Sequence, residues 1–486
     1  MDNALSHKYR AVIGLEVHIQ LSTRSKIFNA DPNGYGSLPN SHAGTITLAH
    51  PGTLPKLNKA VIEMAIKMGL ACHCDIAPYQ IFDRKSYFYP DLPKGYQITQ
   101  DRTPIGRNGY IVIDTQSKKG HKVSLNRIHL EEDAGKSIHG GTEPDTLLDF
   151  NRAGVPLIEV VTEPVMENAG EAGALLAEIR KLVRYLDIGD GNMEEGSLRC
   201  DANISVMLRD ATALGPKVEV KNMNSIRNVQ RAIDHEIERQ IAVLEQGNIP
   251  VSETRTFDAS TGTTSSMRAK EVLNDYRYFP DPDLSPLSIS PKWLDTIKKQ
   301  MPALPRELYN KFVADYQLSP ADAQGLTESK GIAAYFEQVC FGIKNYKVAA
   351  NWVMGSVKSY LNETGSGIEK FPIAADRLAA LIRLVEDGAV SHTAAAQSLF
   401  PEMLKDQHTP PLSLATSLNL IQDGNEDTIM PLVEAVLQEF PAKVKEYKHG
   451  KKGIIALFMG EVMKKSKGKA DPRKANLLLQ KKLTEI

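Results

Sequence analysis

The stretch DYRYFPDPDLSPL, residues 275–287, packs three prolines into seven positions, and neither a helix interior nor a central strand can run through it. The chain changes texture there. Upstream, short alternating runs are separated by clusters such as NADPNGYG, HPGTLP and YPDLPKGY, the pattern of strands and turns. Downstream, apolar residues recur at helical spacing until a second break near 401–411, within FPEMLKDQHTPPL. Three parts are expected: a strand-rich part over 1–290, a helical part over 291–405 and a small helical tail over 412–486. Two helices interrupt the first part. One, near 169–187, carries Leu175, Leu176, Ile179, Leu182, Val183 and Leu186 on one face; the other, near 225–245, carries Ile226, Val229, Ile233, Ile237, Ile241 and Leu244 behind a Ser225 cap. Both are expected to cover a sheet.

A chain of 486 residues accommodates two to four domains at about 100 to 200 residues each, and 42% hydrophobic with 24% charged residues is a globular composition. Four cysteines without a regular framework argue against disulfide staples. No signal-peptide pattern opens the sequence and no run approaches 18 apolar residues, so the expected setting is cytoplasmic, without a membrane span. The net charge of -1 hides an asymmetry: residues 441–486 hold 13 Lys/Arg and 4 Asp/Glu, a +9 segment on a remainder of -10. Such a tail suits a nucleic-acid backbone, although a solvated lysine-rich helix pair explains the charge equally well.

Four strand-like runs carry the chemistry. In AVIGLEVHIQL, alternation sends Ile13, Leu15, Val17 and Ile19 to one face and Glu16, His18 and Gln20 to the other. SLNRIHLEEDAG places Arg127, His129, Glu131 and Asp133 together, with Glu132 opposite unless the strand bulges or ends. LRCDANISV separates Arg199, Asp201, Asn203 and Ser205 from Cys200, Ala202, Ile204 and Val206; KVEVKN separates Lys217, Glu219 and Lys221 from Val218 and Val220. A half-solvated antiparallel sheet explains any one of these faces. Four together supply carboxylates, imidazole, amides and fixed cations, the inventory for Mg²⁺ and phosphate.

Other chemistries fail on residue identity. AGKS at 134–137 lacks the first P-loop glycine, since Leu130 stands there. Cys72-His73-Cys74 has no second ligand pair for zinc, Cys200 falls on an apolar strand face, and the hydroxyl-rich run 261–266 has no neighbouring base.

GLEVH (14–18), FDRKSYFYPDLPKGYQITQ (82–100), HLEEDAGKS (129–137), DFNRAGVPLIEVVTEP (149–164), MEEGSLRCDANIS (193–205), VEVKNMNS (218–225) and DYRYFPDPDLSPL resemble the B-subunit family of the glutamyl-tRNA(Gln)/aspartyl-tRNA(Asn) amidotransferases. The resemblance spans essentially the whole chain, including the tail GIIALFMGEVMKKSKGKADP. It implies an α+β fold: an antiparallel-sheet cradle, an all-helical domain and a small helical tail that grips tRNA. It further implies a heterotrimer of three different chains. In it an amidase-like glutaminase releases ammonia from glutamine, the B-type chain uses ATP and Mg²⁺ to phosphorylate the side-chain carboxylate of Glu-tRNA(Gln) or Asp-tRNA(Asn), and a small third chain wraps the pair. By matching position, the resemblance implies metal ligands Glu16, His18, Glu132 and Glu219, with Glu131 and Asp201 as near neighbours. His18 would bind directly or through a water, because hard cations prefer oxygen. Lys85, Ser197, Arg199, Asn203, Lys217 and Lys221 are the implied phosphate or carboxylate contacts, Lys85 also taking a catalytic part.

Tyr87, Phe88, Tyr89 and Tyr96 either line an entrance for the tRNA acceptor end or pack beneath a loop. Ile454, Ile455, Phe458 and Val462 are expected to pack inward in the tail, leaving Lys464, Lys465, Lys467 and Lys469 for RNA. One departure stands out. Where many members carry two cysteine pairs holding structural zinc, this chain has Asn29, Asp31, Gly44 and Thr47, so no structural zinc is expected and the loop must hold itself by packing and turn chemistry. Two rivals remain at this stage: a noncatalytic tRNA-binding scaffold of the same complex, and a stand-alone metal-dependent hydrolase that would need no basic tail.

Overall fold

The computed structural model describes residues 8–139, 145–269, 276–466 and 468–485. The chain forms two compact units, 1–305 and 306–486. The first is α+β. Its main sheet is built on ten strands in a continuous path: β1 (Tyr9–Gln20), β2 (Asp83–Ser86), β3 (Tyr96–Thr99), β4 (His121–Glu132), β5 (Pro156–Thr162), β6 (Leu198–Leu208), β7 (Val218–Lys221), β8 (Glu253–Asp258), β9 (Thr263–Ala269) and β10 (Phe279–Pro280). Their spatial order is β9-β8-β7-β6-β1-β5-β4-β3-β2-β10, with three short strands branching off. Neighbours along this path are antiparallel except β7 and β8, which run parallel. The exception follows from the connection: the helix Ile226–Glu245 lies between these strands and carries the chain back to the starting edge, as parallel pairing requires.

Alternation in β1 holds along its length. Ile13, Leu15, Val17 and Ile19 are buried, while Glu16, His18 and Gln20 are only partly covered. The apolar back of the sheet is closed by helices Lys59–Ala71, Ala169–Tyr185 and Ile226–Glu245, which contribute to one hydrophobic cluster with it. Burying each aliphatic side chain there contributes about 1.5 to 3 kcal/mol. The helical periodicity is confirmed: Leu175, Leu176, Ile179, Leu182, Val183 and Leu186 are all buried, as are Val229, Ile233, Ile237 and Ile241. Ser225 caps as expected, accepting from Asn228 N, and Asn168 caps the other helix through Glu171 N. All four cysteines are free and buried, Cys200 on the apolar back.

Around Lys26 the chain builds a polar lobe. Lys26 is fully buried, and its ammonium donates to the carbonyls of His42 (2.7 Å) and Phe150 (3.3 Å) and to Thr47 Oγ1 (3.4 Å). Asp31 accepts from Gly44 N (2.8 Å) and Thr47 Oγ1 (2.5 Å), and Asn29 Nδ2 donates to Thr47 Oγ1 (3.1 Å). Residues 29, 31, 44 and 47, the positions matched above to cysteines, are thus tied together by hydrogen bonds. Gly44 is needed for this approach, since a Cβ there would meet Asp31 Oδ1 at 2.3 Å. Burial pulls the Lys26 ammonium down to about 8 despite the opposing charges of Asp31 and Asp149.

The second unit is helical among its described residues. Within it, the Pro411–Ser417 helix packs on Ala375–Glu386, whereas a separate cluster containing Ile429, Val433, Val436, Phe458, Val462 and Leu479 forms the core of the tail. Phe458 and Val462 are fully buried; Ile454 and Ile455 pack against them, partly covered. Lys464 is 77% exposed, with a 3.6 Å pair to Glu461. Lys465 pairs with Glu439 at 2.8 Å and Lys469 donates to Asn419 at 3.1 Å, so these two are already engaged; Lys467 lies outside the described residues. Among the described residues no helix is long and apolar enough to cross a membrane.

Candidate active site on the polar face of the sheet

The antiparallel register aligns the polar residues of β1 with those of its neighbours. One row reads Arg199 (β6), His18 (β1), Glu159 (β5) and His129 (β4); the next pairs Asp201 with Glu16; a third pairs Asn203 with Glu219 of β7. Residues paired across antiparallel strands have Cβ atoms about 4.5 to 5.5 Å apart, so the register alone brings these groups within reach.

Two triads result. Glu16, Asp201 and Glu219 each offer an oxygen, all mutually within 4.8 Å; His18, Glu131 and Glu159 form a second set under the same limit. In the first, Asn203 Nδ2 donates to Glu16 Oε1 (2.9 Å), Thr254 Oγ1 to Glu219 Oε2 (2.9 Å) and Lys221 Nζ to Asp201 Oδ2 (2.6 Å), with Lys221 3.2 Å from Glu219 Oε1. Burial would lower the Lys221 pKa, but the two carboxylates override it and hold the ammonium charged. In the second, His18 Nε2 stands 3.3 Å from Glu131 and 3.6 Å from Glu159, and His129 Nε2 lies 3.0 Å from Glu159. Burial opposes charge on His18; the hydrogen bond and charge of Glu131, then the charge of Glu159, outweigh it and raise its pKa to about 9. Glu159 is held well below the usual carboxylate range: burial opposes this, and His129, then His18 and Lys85, prevail. Its position was missed in the sequence because PLIEVVT reads as a buried apolar run. The available signal was the carboxylate itself, which is costly inside such a strand unless paired.

Lys85, Glu16, Arg127, His129, Glu131 and Glu159 border one cavity of about 180 Å³. Arg199 is fixed beside them by Asp133 (2.9 Å), which also accepts from Gln20 (3.0 Å). Against the effect of burial, Asp133 raises the guanidinium pKa, keeping a permanent cation here. Buried Asn203 Oδ1 and His129 Nδ1 have no hydrogen-bond partner among the described residues, which leaves acceptor and donor capacity at the site.

Three of the residues singled out in the sequence are not brought to the triads. β4 runs to Glu132 without a bulge at that end, so Glu132 faces away from Glu131; its carboxylate binds Lys94 and accepts from Ile98 N (2.9 Å), beside a different cavity of about 240 Å³ that includes Phe28 and Tyr96. Ser197 spends its hydroxyl on a turn, bonded to Asp190 and to Asn192 O (3.0 Å). Lys217 is exposed, one residue before β7. Of the aromatic group, Tyr96 packs under Arg84 (4.2 Å to the ring centre) and, among the described residues, makes no ring contact with Tyr87 or Tyr89, which contact one another.

Comparisons with known proteins place the chain in a family. A family model described as the GatB/GatE catalytic domain matches residues 11–295, and one described as the GatB domain matches residues 334–483. The B subunit of the aspartyl/glutamyl-tRNA(Asn/Gln) amidotransferase of Thermosynechococcus vestitus is 45% identical over 490 residues, covering 99% of this chain and 98% of that one. The B subunits of the same name from Geobacter sulfurreducens and Thermoanaerobacter pseudethanolicus are 46% and 43% identical, covering 98% of this chain and 99% and 100% of theirs. With both models matched in order and relatives aligned end to end, the chain belongs to the GatB family.

Proposed function

We propose that this chain is the amidating component of a glutamine-dependent aspartyl/glutamyl-tRNA(Asn/Gln) amidotransferase, working in the cytoplasm with an amidase-like glutaminase partner, which releases ammonia, and a small third partner chain. The observation that carries the reading is the meeting, on one sheet face, of two ligand triads with Lys85, Arg199 and Lys221. A carboxylate is a poor electrophile. Its oxygen therefore attacks the γ-phosphorus of ATP, the bond to ADP breaks, and ammonia then attacks the carbonyl carbon of the acyl phosphate; phosphate leaves and the nitrogen loses a proton.

Glu16, Asp201 and Glu219 suit a hard divalent cation, being three oxygen donors gathered together, two of them on the ammonium of Lys221. Mg²⁺, when bound, offsets charge on the transferring phosphate oxygens. Lys221, bound to Asp201 and Glu219, would supply positive charge to the phosphates from beside this cation seat. Arg199 and Lys85 supply further fixed positive charge, and phosphoryl transfer is mostly such clamping. His18, protonated near neutrality between Glu131 and Glu159, serves as a hydrogen-bond donor beside this cation seat. The basic tail binds the tRNA backbone, where exposed lysine pairs such as Lys464–Glu461, worth little in water, exchange readily for phosphate.

The test is ADP formation by the complex reconstituted with its partner chains, with and without glutamyl-tRNA(Gln). Glu16→Ala and Glu219→Ala should each lose about 100-fold or more of the tRNA-dependent rate. Full tRNA-dependent ADP formation in both variants would overturn the site and favour a noncatalytic scaffold.

A further inference from the structure

Beside the triads, four tyrosine rings stand in edge contact. Tyr89, Tyr87, Tyr276 and Tyr278 follow one another with centroids 6.1 Å apart at each of three steps and interplanar angles of 67°, 70° and 73°. Two come from the loop after β2 and two from the segment entering β10, and Ser86 N donates to Tyr276 O at 2.9 Å, which fixes the segments side by side. Tyr278 borders the cavity that holds Glu16, Lys85 and Glu131. At the other end Tyr89 is 58% exposed. Lys85 Nζ lies 4.9 Å from the Tyr276 ring centre and 5.7 Å from that of Tyr87, placing a cation against the middle of the run.

Rings that merely pack a loop gain most when covered, yet this run is open at both ends, Tyr278 at 37% and Tyr89 at 58%, and its outer ring contributes little to any core. Burial, with Asp101 and Glu131 adding to it, pushes the Tyr278 hydroxyl up to about 12, and burial with Glu131 and Glu132 pushes Tyr87 upward, so both stay protonated and able to donate. One base covers one ring. A run of three ring-to-ring steps that starts at the acidic cavity, carries a cation against its middle and ends in solvent matches an unpaired strand, on which successive bases stack and the backbone is met by positive charge.

We propose that the Tyr89–Tyr87–Tyr276–Tyr278 run seats the unpaired 3′-terminal nucleotides of the aminoacylated RNA, with a phosphate facing Lys85 and the esterified amino acid delivered to the adjoining acidic cavity. The assignment rests on the tRNA-amidating function above. The adenine of ATP presents the same π-surface, and the experiment separates the two sources.

In the reconstituted complex, the Kd for uncharged tRNA is measured with the RNA intact and with its last three nucleotides removed, alongside the KM for ATP. The wild type should bind trimmed RNA at least about tenfold more weakly, since stacking contributes about that much for each seated base. Tyr87→Leu/Tyr278→Leu should bind intact RNA as weakly as wild type binds trimmed RNA, with no further loss on trimming and no change in the KM for ATP. Tyr87→Phe/Tyr278→Phe should retain most of the trimming penalty, because the rings remain. Tyr89→Ala, at an exposed ring, should lower the penalty without touching the core. A full trimming penalty in both the Leu pair and Tyr89→Ala overturns the proposal, as does a raised KM for ATP with RNA binding intact, which assigns the rings to adenine. Loss of tRNA-dependent ADP formation in the wild-type complex would instead sink the functional reading itself.

Discussion

In the lobe around Lys26, one buried ammonium donates to two carbonyls and a hydroxyl, and the carboxylate of Asp31 accepts from a backbone amide and a hydroxyl, with Asp149 adding a second opposing charge. On the polar face of β1, by contrast, five carboxylates gather in two triads, the first with Lys221 and the second with His18, His129, Lys85 and Arg199 about it. The hydrogen bonds of the lobe run mostly among its own groups, whereas the Glu16–Asp201–Glu219 triad sets three carboxylates against one ammonium. Polar groups that satisfy one another fix a loop, while a surplus of one sign costs stability and persists where an external cation or substrate completes it. Structural and functional polar clusters are therefore distinguished by the crowding of like charges more than by burial, since Lys26 is more deeply buried than Lys221.

The largest stability effect should fall in the lobe. Asp31→Ala removes the acceptor for Gly44 and Thr47 and the nearest counter-charge of Lys26, and should cost about 3 kcal/mol in denaturant unfolding while leaving ADP formation per folded molecule unchanged. A loss of activity with no loss of stability would erase the contrast between the regions. The pH dependence sharpens it further, because the two buried cations carry opposite signs. His18, raised to about 9, contributes stability that is complete below its ordinary value of 6.5 and is lost as pH rises through 9, at most about 3 kcal/mol; His18→Gln in metal-free protein should flatten that fall. Lys26, lowered to about 8, behaves in reverse. Below pH 8 its charged form is a cost, which is relieved as pH rises from 8 toward 10.5, so Lys26→Met should remove a rise of at most about 3 kcal/mol. The smallest expected effect lies in the tail: Lys464→Gln should reduce the slope of log K against log salt for tRNA binding by about one.

The polar face was legible in the sequence because strand alternation is a strict two-residue period, and Glu16, His18, Glu131, Asp201 and Glu219 each sit where it sends them. The same period kept Glu132 on the other side, where the sequence pattern had put it and the family resemblance had not. Glu159 was not legible, since a single carboxylate within PLIEVVT carries no partner in its own strand; its partners His18 and His129 come from strands 141 and 30 residues distant in sequence and meet it only through register. Tyr276 and Tyr278 were hidden for a similar reason, being joined to Tyr87 by the pairing of two loops far apart in the chain. The parallel β7–β8 pairing also needed the path of the intervening helix, which no local pattern specifies.

The most direct test is Glu219→Gln in the reconstituted complex, with unfolding stability and tRNA-dependent ADP formation measured on the same preparation. Glu219 sits in the over-charged triad, with Thr254 and Lys221 as partners. Removing its charge while keeping its shape should lower the ADP rate about 100-fold or more and leave stability unchanged or slightly higher. A variant with the wild-type ADP rate, or one whose lost activity is matched by lost stability, would contradict the assignment of this face to catalysis.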